Sequence, residues 1–327
     1  MVVKLLEVGD IHARGTSPRN RLDDYTLALK RKMQEVFKLA QVHQVDAIIC
    51  PGDVFDSYQV SIAVLLDFVN LFRQSPVPIF TTAGNHDLPS YNLETYYRTS
   101  LHLLEMLVPQ LRVINDPSEA VVIKDLVQLT FTPYSGKMDV AGYGYSPEGE
   151  AAERSDLFKI HVSHGMLLDH TPPFDRYTLV QEVETEADVV FCGHDHTGFG
   201  IFHRQDGRTF VNLGSLTRLS ASVTEMERPI QAALITVDPE NYEKGFDLEA
   251  ITLESAQPGS QILDRSGLEA EQKRQYAMEQ FSALIQGNDG EAVAVNVEQM
   301  VEMIAKRESI APEVVALALA KIEQQVV

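Results

Sequence analysis

Residues 46–56 read DAIICPGDVFD, a short apolar run followed by a turn that carries two aspartates. The same arrangement occurs before it, as VKLLEVGDIH at residues 3–12, and after it, as VPIFTTAGNHD at residues 77–87. Each run has the length and the apolar composition of a buried strand. The three segments therefore predict strands that each bring polar residues to their carboxyl ends.

Amphipathic stretches at about residues 22–43, 60–72 and 93–107 lie between and after these runs and predict helices. Strands that alternate with helices form βαβ units with parallel strands. From about residue 112 to residue 253 the pattern becomes strand-dominated, and this predicts a second sheet packed on the first. The expected fold class is therefore α/β.

The last part of the chain has a different pattern. A linker-like segment follows residue 253, and apolar residues at helical spacing then predict a small helical module over residues 266–327. We therefore expect a catalytic domain over residues 1–255 and a separate helical module. A module of this size is marginally stable alone, so we expect it to associate with a second copy of the chain or with a partner protein.

The 327-residue chain has a formal charge of −20, and 44% of its residues are hydrophobic. This composition is that of a globular protein with a core. No apolar run is long enough for a membrane helix, so we expect a soluble, cytoplasmic protein without a membrane partner. The negative charge disfavours polyanion binding unless metals or grouped basic residues offset it. Residues 1–44 are the one basic region, with eight basic and five acidic side chains.

Metal-ligand residue types follow the predicted strands in five segments. These are DIH at residues 10–12, GDVFD at 52–56, GNHD at 84–87, HG at 164–165 and GHDH at 193–196. The carboxyl ends of parallel strands form one edge, where binding sites are built. Side chains two apart on a strand share a face, so Asp10 with His12, and His194 with His196, can reach one site.

The candidate ligands offer oxygen and imidazole donors, and no cysteine stands among them. They are Asp10, His12, Asp53, Asn85, His164, His194 and His196. This donor set suits two divalent ions, with Mn²⁺ as the expected metal and Fe, Zn²⁺ or Mg²⁺ as alternatives. Two such ions can activate a water for in-line attack on a phosphodiester.

Together and in this order, the five segments resemble the calcineurin-like metallophosphoesterase superfamily, whose motifs D-x-H, GD-x-x-D, GNH-D/E, H and GH-x-H are matched across residues 10–196. The resemblance implies a four-layer α-β-β-α sandwich. It also implies that Asp53 bridges two metals, that His86 is the catalytic histidine and that Asp56 orients it. The remaining ligands divide between one metal, held by Asp10, His12 and His196, and a second, held by Asn85, His164 and His194.

Within that superfamily the chain is most similar to SbcD-type DNA repair nucleases. The similarity rests on LEVGDIHARG at residues 6–15, CPGDVFDS at 50–57, FCGHDHTG at 191–198 and NLGSLTR at 212–218, besides the segment at 77–87. It implies a DNA exonuclease and endonuclease acting in repair or recombination. It also implies short capping strands within residues 1–255 and a coiled-coil ATPase of the SbcC type as a partner.

Arg14, Arg19 and Arg21 follow the first metal motif and are candidates for binding substrate phosphate. The alternative is that they are loop charges paired with Asp23 and Asp24. Two other functions stay open: a phosphodiesterase or phosphatase on small nucleotides or other phosphoesters, and an inactive scaffold. The scaffold is the weakest of these because every expected ligand is present.

Overall fold

The computed structural model describes residues 1–150, 156–243 and 245–267, and isolated positions beyond them (273, 274, 278, 305, 310 and 314–316). The chain divides into two compact units, Met1–Gly267 and Leu268–Val327. Almost all of the predicted helical module at 266–327 lies outside the described residues, and the following concerns the first unit. None of the helices in the described ranges is both long enough and apolar enough to cross a membrane.

The first sheet has six strands: β1 (Val3–Val8), β2 (Ala47–Cys50), β3 (Ile79–Thr81), β4 (Leu111–Val113), β13 (Gln231–Val237) and β14 (Phe246–Thr252). Their order is β14-β13-β1-β2-β3-β4. Strands β1 to β4 are parallel, as the βαβ pattern predicts, whereas β13 pairs antiparallel with β1 and β14 pairs antiparallel with β13.

The second sheet also has six strands: β5 (Ala120–Ile123), β6 (Val127–Thr132), β7 (Phe158–Gly165), β10 (Val189–His194), β11 (Gly200–His203) and β12 (Thr209–Asn212). Their order is β11-β12-β10-β7-β6-β5, with the four central strands parallel and both outer strands antiparallel. A small ribbon of β8 (Leu167–Leu168) and β9 (Thr178–Leu179) follows β7.

Three longer helices cross between strands of the first sheet: α1 (Tyr25–His43), α2 (Ile62–Phe72) and α3 (Ser100–Leu107). Asp24, Ser61 and Thr99 cap them, since each side chain accepts a hydrogen bond from a backbone N–H of the first turn. The predicted helix over residues 93–107 is wrong in one respect: extended Thr99 divides it into a 3₁₀ helix (Leu93–Arg98) and α3. Short helices at Val223–Glu227 and Gly259–Ile262 complete the described elements.

The apolar core lies in layers, because alternate residues of a strand face opposite sides of its sheet. On β1, Leu6 and Val8 pack towards the helices, whereas Val3 and Leu5 pack between the two sheets. A third apolar cluster covers the other face of the second sheet and includes residues of the β8–β9 ribbon. The expected α/β sandwich of two sheets is thereby confirmed, and both sheets present the carboxyl ends of parallel strands to one region.

Candidate metal centre

The loops that follow β1 and β2 are bonded to each other directly. The backbone N–H groups of Ile11 and His12 donate to the carbonyl oxygen of Asp53 over 3.1 and 2.9 Å, and Ala13 N–H donates to Val54 at 2.8 Å. Both loops therefore hold their acidic side chains at fixed positions on the edge of the first sheet. Asp10 and Asp53 are each 1% exposed, so their carboxylates face the interior of the molecule.

One group of possible ligand atoms combines Asp10, His12, Asp53 and His196. The Nε2 atoms of His12 and His196 lie 2.9 Å apart. The carboxylate oxygen Oδ2 of Asp10 is 3.6 Å from His196 Nε2, and Oδ2 of Asp53 is 3.8 Å from His12 Nε2. These residues are the four that the resemblance assigns to one metal.

A second group combines Asp53 with His164 and His194. The Oδ1 atom of Asn85 lies 2.9 Å from His164 Nε2 and 2.8 Å from His194 Nδ1, so the amide joins the same cluster. Asp53 Oδ2 is 3.4 Å from His164 Nε2. Asp53 therefore lies in both groups, in the position that a bridging carboxylate requires, and the seven candidate ligands converge on one region.

Three of these residues have left-handed backbone conformations, with φ of 50° at His12, 47° at Asp53 and 79° at His194. Such conformations cost about 1–3 kcal/mol each in residues other than glycine, and they concentrate at functional sites. The surrounding hydrogen bonds offset this strain. Asp53 Oδ1 accepts from His86 N–H at 2.8 Å, and Asp10 Oδ2 accepts from His194 N–H at 2.9 Å.

Gly52, Gly84 and Gly193 each precede a candidate ligand and leave room for a residue of another loop. A Cβ on Gly84 would stand 2.7 Å from Cγ of Asp53, and one on Gly193 would stand 2.8 Å from Cγ of Pro51 and closer to Asp10. A Cβ on Gly52 would lie 2.7 Å from Nδ1 of His164, and Gly52 also has φ of 122°. Close approach between loops is therefore the main reason for glycine at these positions.

Two residues outside the predicted ligand set hold the site together. The buried carboxylate of Asp87 accepts from the N–H groups of Val54, Phe55 and Gly84, and so joins two ligand loops. Ser215 Oγ donates to the carbonyl oxygen of Asp10 at 3.0 Å. Ser215 lies in the NLGSLTR segment, but nothing in that segment alone indicates its contact with Asp10, about 200 residues earlier in the chain.

Burial alone would raise the pKa of the Asp53 carboxyl, but the imidazoles of His164 and His12 lower it well below its usual range. Burial would lower the pKa of His164, but Asp53 raises it to about 9. Burial is the main reason that the pKa of His194 falls to about 3 and that of His12 falls well below its usual value. A carboxylate anion and neutral imidazoles are the forms that bind metal ions. Asp53, His12 and His194 are thus in the binding form at neutral pH, whereas His164 has to give up a proton when a metal binds.

Several buried polar atoms of the cluster lack a hydrogen bond, and this indicates whether the cluster can hold a metal ion. Asp10 Oδ1, Asp53 Oδ2 and His12 Nδ1 are buried, and none of them forms a hydrogen bond within the described part of the chain. Buried carboxylate oxygens without a partner are costly, and divalent cations relieve that cost. The close imidazole pair of His12 and His196 has the same explanation, because both nitrogens can direct a lone pair at a cation. The residues present therefore fit divalent metal ions.

His86 lies beside this cluster, with its ring centre 4.9 Å from that of His12. Its Nδ1 is 2.9 Å from the backbone carbonyl oxygen of Asp56, to which Nδ1–H donates. The contact fixes the ring and leaves Nε2 for a substrate oxygen. Asp56 lies next to His86, but its backbone carbonyl and not its carboxylate makes this hydrogen bond. The Asp56 carboxylate instead pairs with Arg14, with Nη1 and Oδ2 2.8 Å apart.

The three candidate substrate arginines lie in different surroundings. Arg14 reaches the site through its ion pair with Asp56. Arg19 is exposed. Arg21 is buried, pairs with Asp23 at 2.7 Å and lines a different cavity, so its guanidinium is engaged away from the ligand cluster.

A groove of about 200 Å³ opens beside the cluster and is lined by residues that include Asn85, His86, Asp56, Tyr58 and Tyr91. Tyr58 and Tyr91 are 38% and 57% exposed. The ring centres of Tyr91 and Tyr134 are 5.4 Å apart, and those of Tyr134 and His194 are also 5.4 Å apart. Aromatic surface therefore continues from the groove to a candidate ligand.

Solved structures similar to this chain include three phosphoesterases. A dimetal phosphatase from Danio rerio has a TM-score of 0.46 at 10% identity, with 76% of this chain and 98% of that chain covered. The NAD nucleotidase of Haemophilus influenzae has a TM-score of 0.44 at 11% identity, covering 77% and 56% of the two chains. An archaeal phosphodiesterase has a TM-score of 0.37 at 14% identity, covering 76% and 100%.

No curated protein matches the sequence significantly. A family model described as calcineurin-like phosphoesterase matches residues 3–198, a range that contains all of the candidate metal ligands.

Proposed function

The chain belongs to the calcineurin-like phosphoesterase family, and we propose that it is a two-metal phosphodiesterase that cleaves DNA. The observation that carries the choice of substrate is the groove, in which two exposed tyrosines, Tyr58 and Tyr91, lie beside His86. Tyrosine rings stack on nucleobases of any sequence. A phosphate at the metal cluster would thus have aromatic surface next to it for the attached nucleosides.

The candidate ligands would hold two divalent ions, with Asp53 shared between them, and the bound ions would polarise the phosphoryl group and activate water. The chain's own residues supply the rest. His86 donates Nδ1–H to the carbonyl oxygen of Asp56, and in its imidazolium form it can also donate the Nε2 proton to the leaving oxygen. Arg14 stays close through its ion pair with Asp56 and adds positive charge for a second phosphate of the strand.

Small nucleotides or other phosphoesters are a second candidate substrate class, favoured by the formal charge of −20, which repels a polyanion. Arg14 and Arg21 each pair with an aspartate, which reduces the positive charge that these two side chains can offer to a polyanion. An SbcC-type ATPase or a second copy of the chain would supply further DNA-binding surface, and both partners remain proposals.

Cleavage of nicked, single-stranded and blunt DNA with Mn²⁺, measured beside a model diester and a monoester, separates the two substrate classes. Tyr91→Ala should raise KM for single-stranded DNA by roughly 5- to 100-fold, which is the affinity lost when one base no longer stacks on an aromatic ring. The effect on KM for the model diester should be smaller. Tyr97→Ala is the matched control, because Tyr97 is 59% exposed but does not line the groove. Hydrolysis of only the small substrates, or equal effects of both variants, would contradict the DNA proposal.

A further inference from the structure

A second cavity, of about 120 Å³, lies between α1, the loop after β12 and the segment after β14. Its charged lining residues are Arg21, Arg31, Lys32 and Arg218 against Asp23 and Asp24, and Ser255 lines it as well. None of the candidate metal ligands lies in the lining. Exposed residues, among them Arg31, form part of its wall, so a solute can enter from outside. It is therefore distinct from the groove at the metal cluster.

Buried positive charge surrounds this cavity. Arg21, Lys32, Arg218 and Arg228 are each between 4% and 8% exposed. Asp23 pairs with Arg21, and Glu225 pairs with Arg228. Lys32 and Arg218 have no carboxylate within salt-bridge distance in the part of the chain that the structure describes. Two buried basic groups without an anionic partner are costly in their charged forms, and they are unusual in so acidic a protein.

Several donors at the cavity have unused capacity. Arg218 Nε and Ser255 Oγ are buried and have no hydrogen-bond partner among the residues that the structure describes. The ammonium group of Lys32 has three N–H donors, and its one hydrogen bond among the described residues goes to the carbonyl oxygen of Leu216. Burial, with Arg21 and Arg218 as further causes, lowers the pKa of Lys32 to about 7. Burial likewise lowers the pKa of Arg218 to about 10.

We propose that this cavity is a binding site for a phosphate group, either inorganic phosphate or the terminal phosphate of a nucleotide. A dianionic oxyanion would neutralise Lys32 and Arg218 together. Its several acceptor oxygens would also use the Arg218 Nε–H and the Ser255 hydroxyl at the same time. The cavity is large enough for such a group, since a water molecule occupies about 30 Å³ in the liquid. The proposal does not depend on the reaction at the metal centre.

The alternative role of these cations is to brace the loop that contacts Asp10. Lys32 donates to the carbonyl of Leu216, Arg21 to that of Arg218, and Arg228 to that of Thr217. Bracing accounts for these donors. It leaves Arg218 Nε, Ser255 Oγ and the net charge of the cavity unexplained, and a phosphate explains all three.

The test is equilibrium dialysis of radiolabelled inorganic phosphate against the full chain, both loaded with metal and after chelation. The metal centre can itself bind phosphate, so the metal-loaded protein should bind two equivalents and the chelated protein one. Arg218→Gln should weaken the site that survives chelation by roughly 10- to 100-fold, since it removes charge-assisted hydrogen bonds. Arg204→Gln is the matched control, because Arg204 donates to the carbonyls of Val180 and Val183, outside this cavity.

Where Arg218→Gln does not fold, Ser255→Ala tests the same site by removing only an unpartnered hydroxyl, and it should weaken phosphate binding several-fold. A parallel titration of the chelated protein with deoxyadenosine 5′-monophosphate distinguishes the two sources. Binding of both solutes indicates a site for a terminal phosphate, whereas binding of inorganic phosphate alone indicates a site for the free ion. Absence of a saturable site after chelation, with one equivalent in the metal-loaded protein, would overturn the proposal. Equal phosphate affinity in Arg218→Gln and Arg204→Gln would overturn it as well.

Discussion

Replacing Gly84 with alanine should impair metal binding, although Gly84 is not itself a candidate ligand. The new Cβ would lie 2.7 Å from Cγ of Asp53, and closer still to its Oδ1 and backbone nitrogen, whereas ordinary contacts begin at 3.4 Å. Restoring an ordinary contact with the backbone nitrogen of Asp53 requires the two loops to separate by about 1.0 Å. Rotation of the Asp53 side chain is not enough, because the backbone nitrogen overlaps too.

Asp53 lies in both groups of possible ligands, so this movement disturbs both metals together. Overpacking of this kind costs about 1–3 kcal/mol of stability. A misplacement of about 1 Å at a reacting centre costs about 10²-fold in rate. We therefore expect Gly84→Ala to fold, to bind fewer than two metal ions per chain and to hydrolyse a model diester about 100-fold more slowly than the wild type.

Gly136→Ala provides the control. A Cβ at this position has no described atom within 4 Å, and the substitution lowers the conformational entropy of the unfolded chain by the same amount as Gly84→Ala. Metal content by mass spectrometry and turnover of bis(4-nitrophenyl) phosphate at saturating Mn²⁺ are the two measurements. If Gly84→Ala keeps two ions and wild-type turnover, or if Gly136→Ala loses as much, the close approach of the two loops is not what sets the metal site.

Three further predictions concern the site and the core. Chelation should abolish hydrolysis and Mn²⁺ should restore it best; full activity after exhaustive chelation would contradict the two-metal assignment. His86→Ala should keep its metal content while turnover falls by about 10²- to 10⁴-fold; loss of metal would make His86 a ligand instead. His161 is buried on β7, and burial lowers its pKa to about 4. The stability that this histidine contributes in its neutral form is therefore fully present above pH 6.5 and is lost as the pH falls towards 4. Between pH 7 and 4.5 the free energy of unfolding should drop by about 2 kcal/mol more in the wild type than in His161→Gln, and parallel denaturation curves would refute this.

The sequence was sufficient to predict that the ligand residues converge, because polar residues after buried parallel strands must meet at one edge of the sheet. It was not sufficient to predict what each neighbouring residue contacts. Gly84 and Asp87 interact with loops about 30 residues away in sequence, and no local pattern encodes those contacts. The helix boundary at Thr99 was missed because the amphipathic spacing continues across it, although threonine is a common N-cap.

Arg21 shows most clearly where proximity in sequence misleads. It lies in the loop after Asp10 and His12, which suggested a contact with substrate at the metal cluster. Its guanidinium instead pairs with Asp23 and donates to the carbonyl of Arg218, almost 200 residues later. The direction of a loop side chain depends on which distant segment packs against it, and that information is tertiary.

The division of the ligands between two sheets has a consequence for biosynthesis. Asp10 follows the first strand, whereas His196 follows β10, and β1 does not gain its antiparallel neighbour until β13 has been made, ending at Val237. At about 5–20 residues per second, the ribosome needs roughly 10–50 s to pass from Asp10 to Val237. For most of that interval His164, His194 and His196 have not yet been made, and Asp10 and Asp53 have only His12 near them. A site that uses all seven candidate ligands could therefore form only after His196 has left the ribosome.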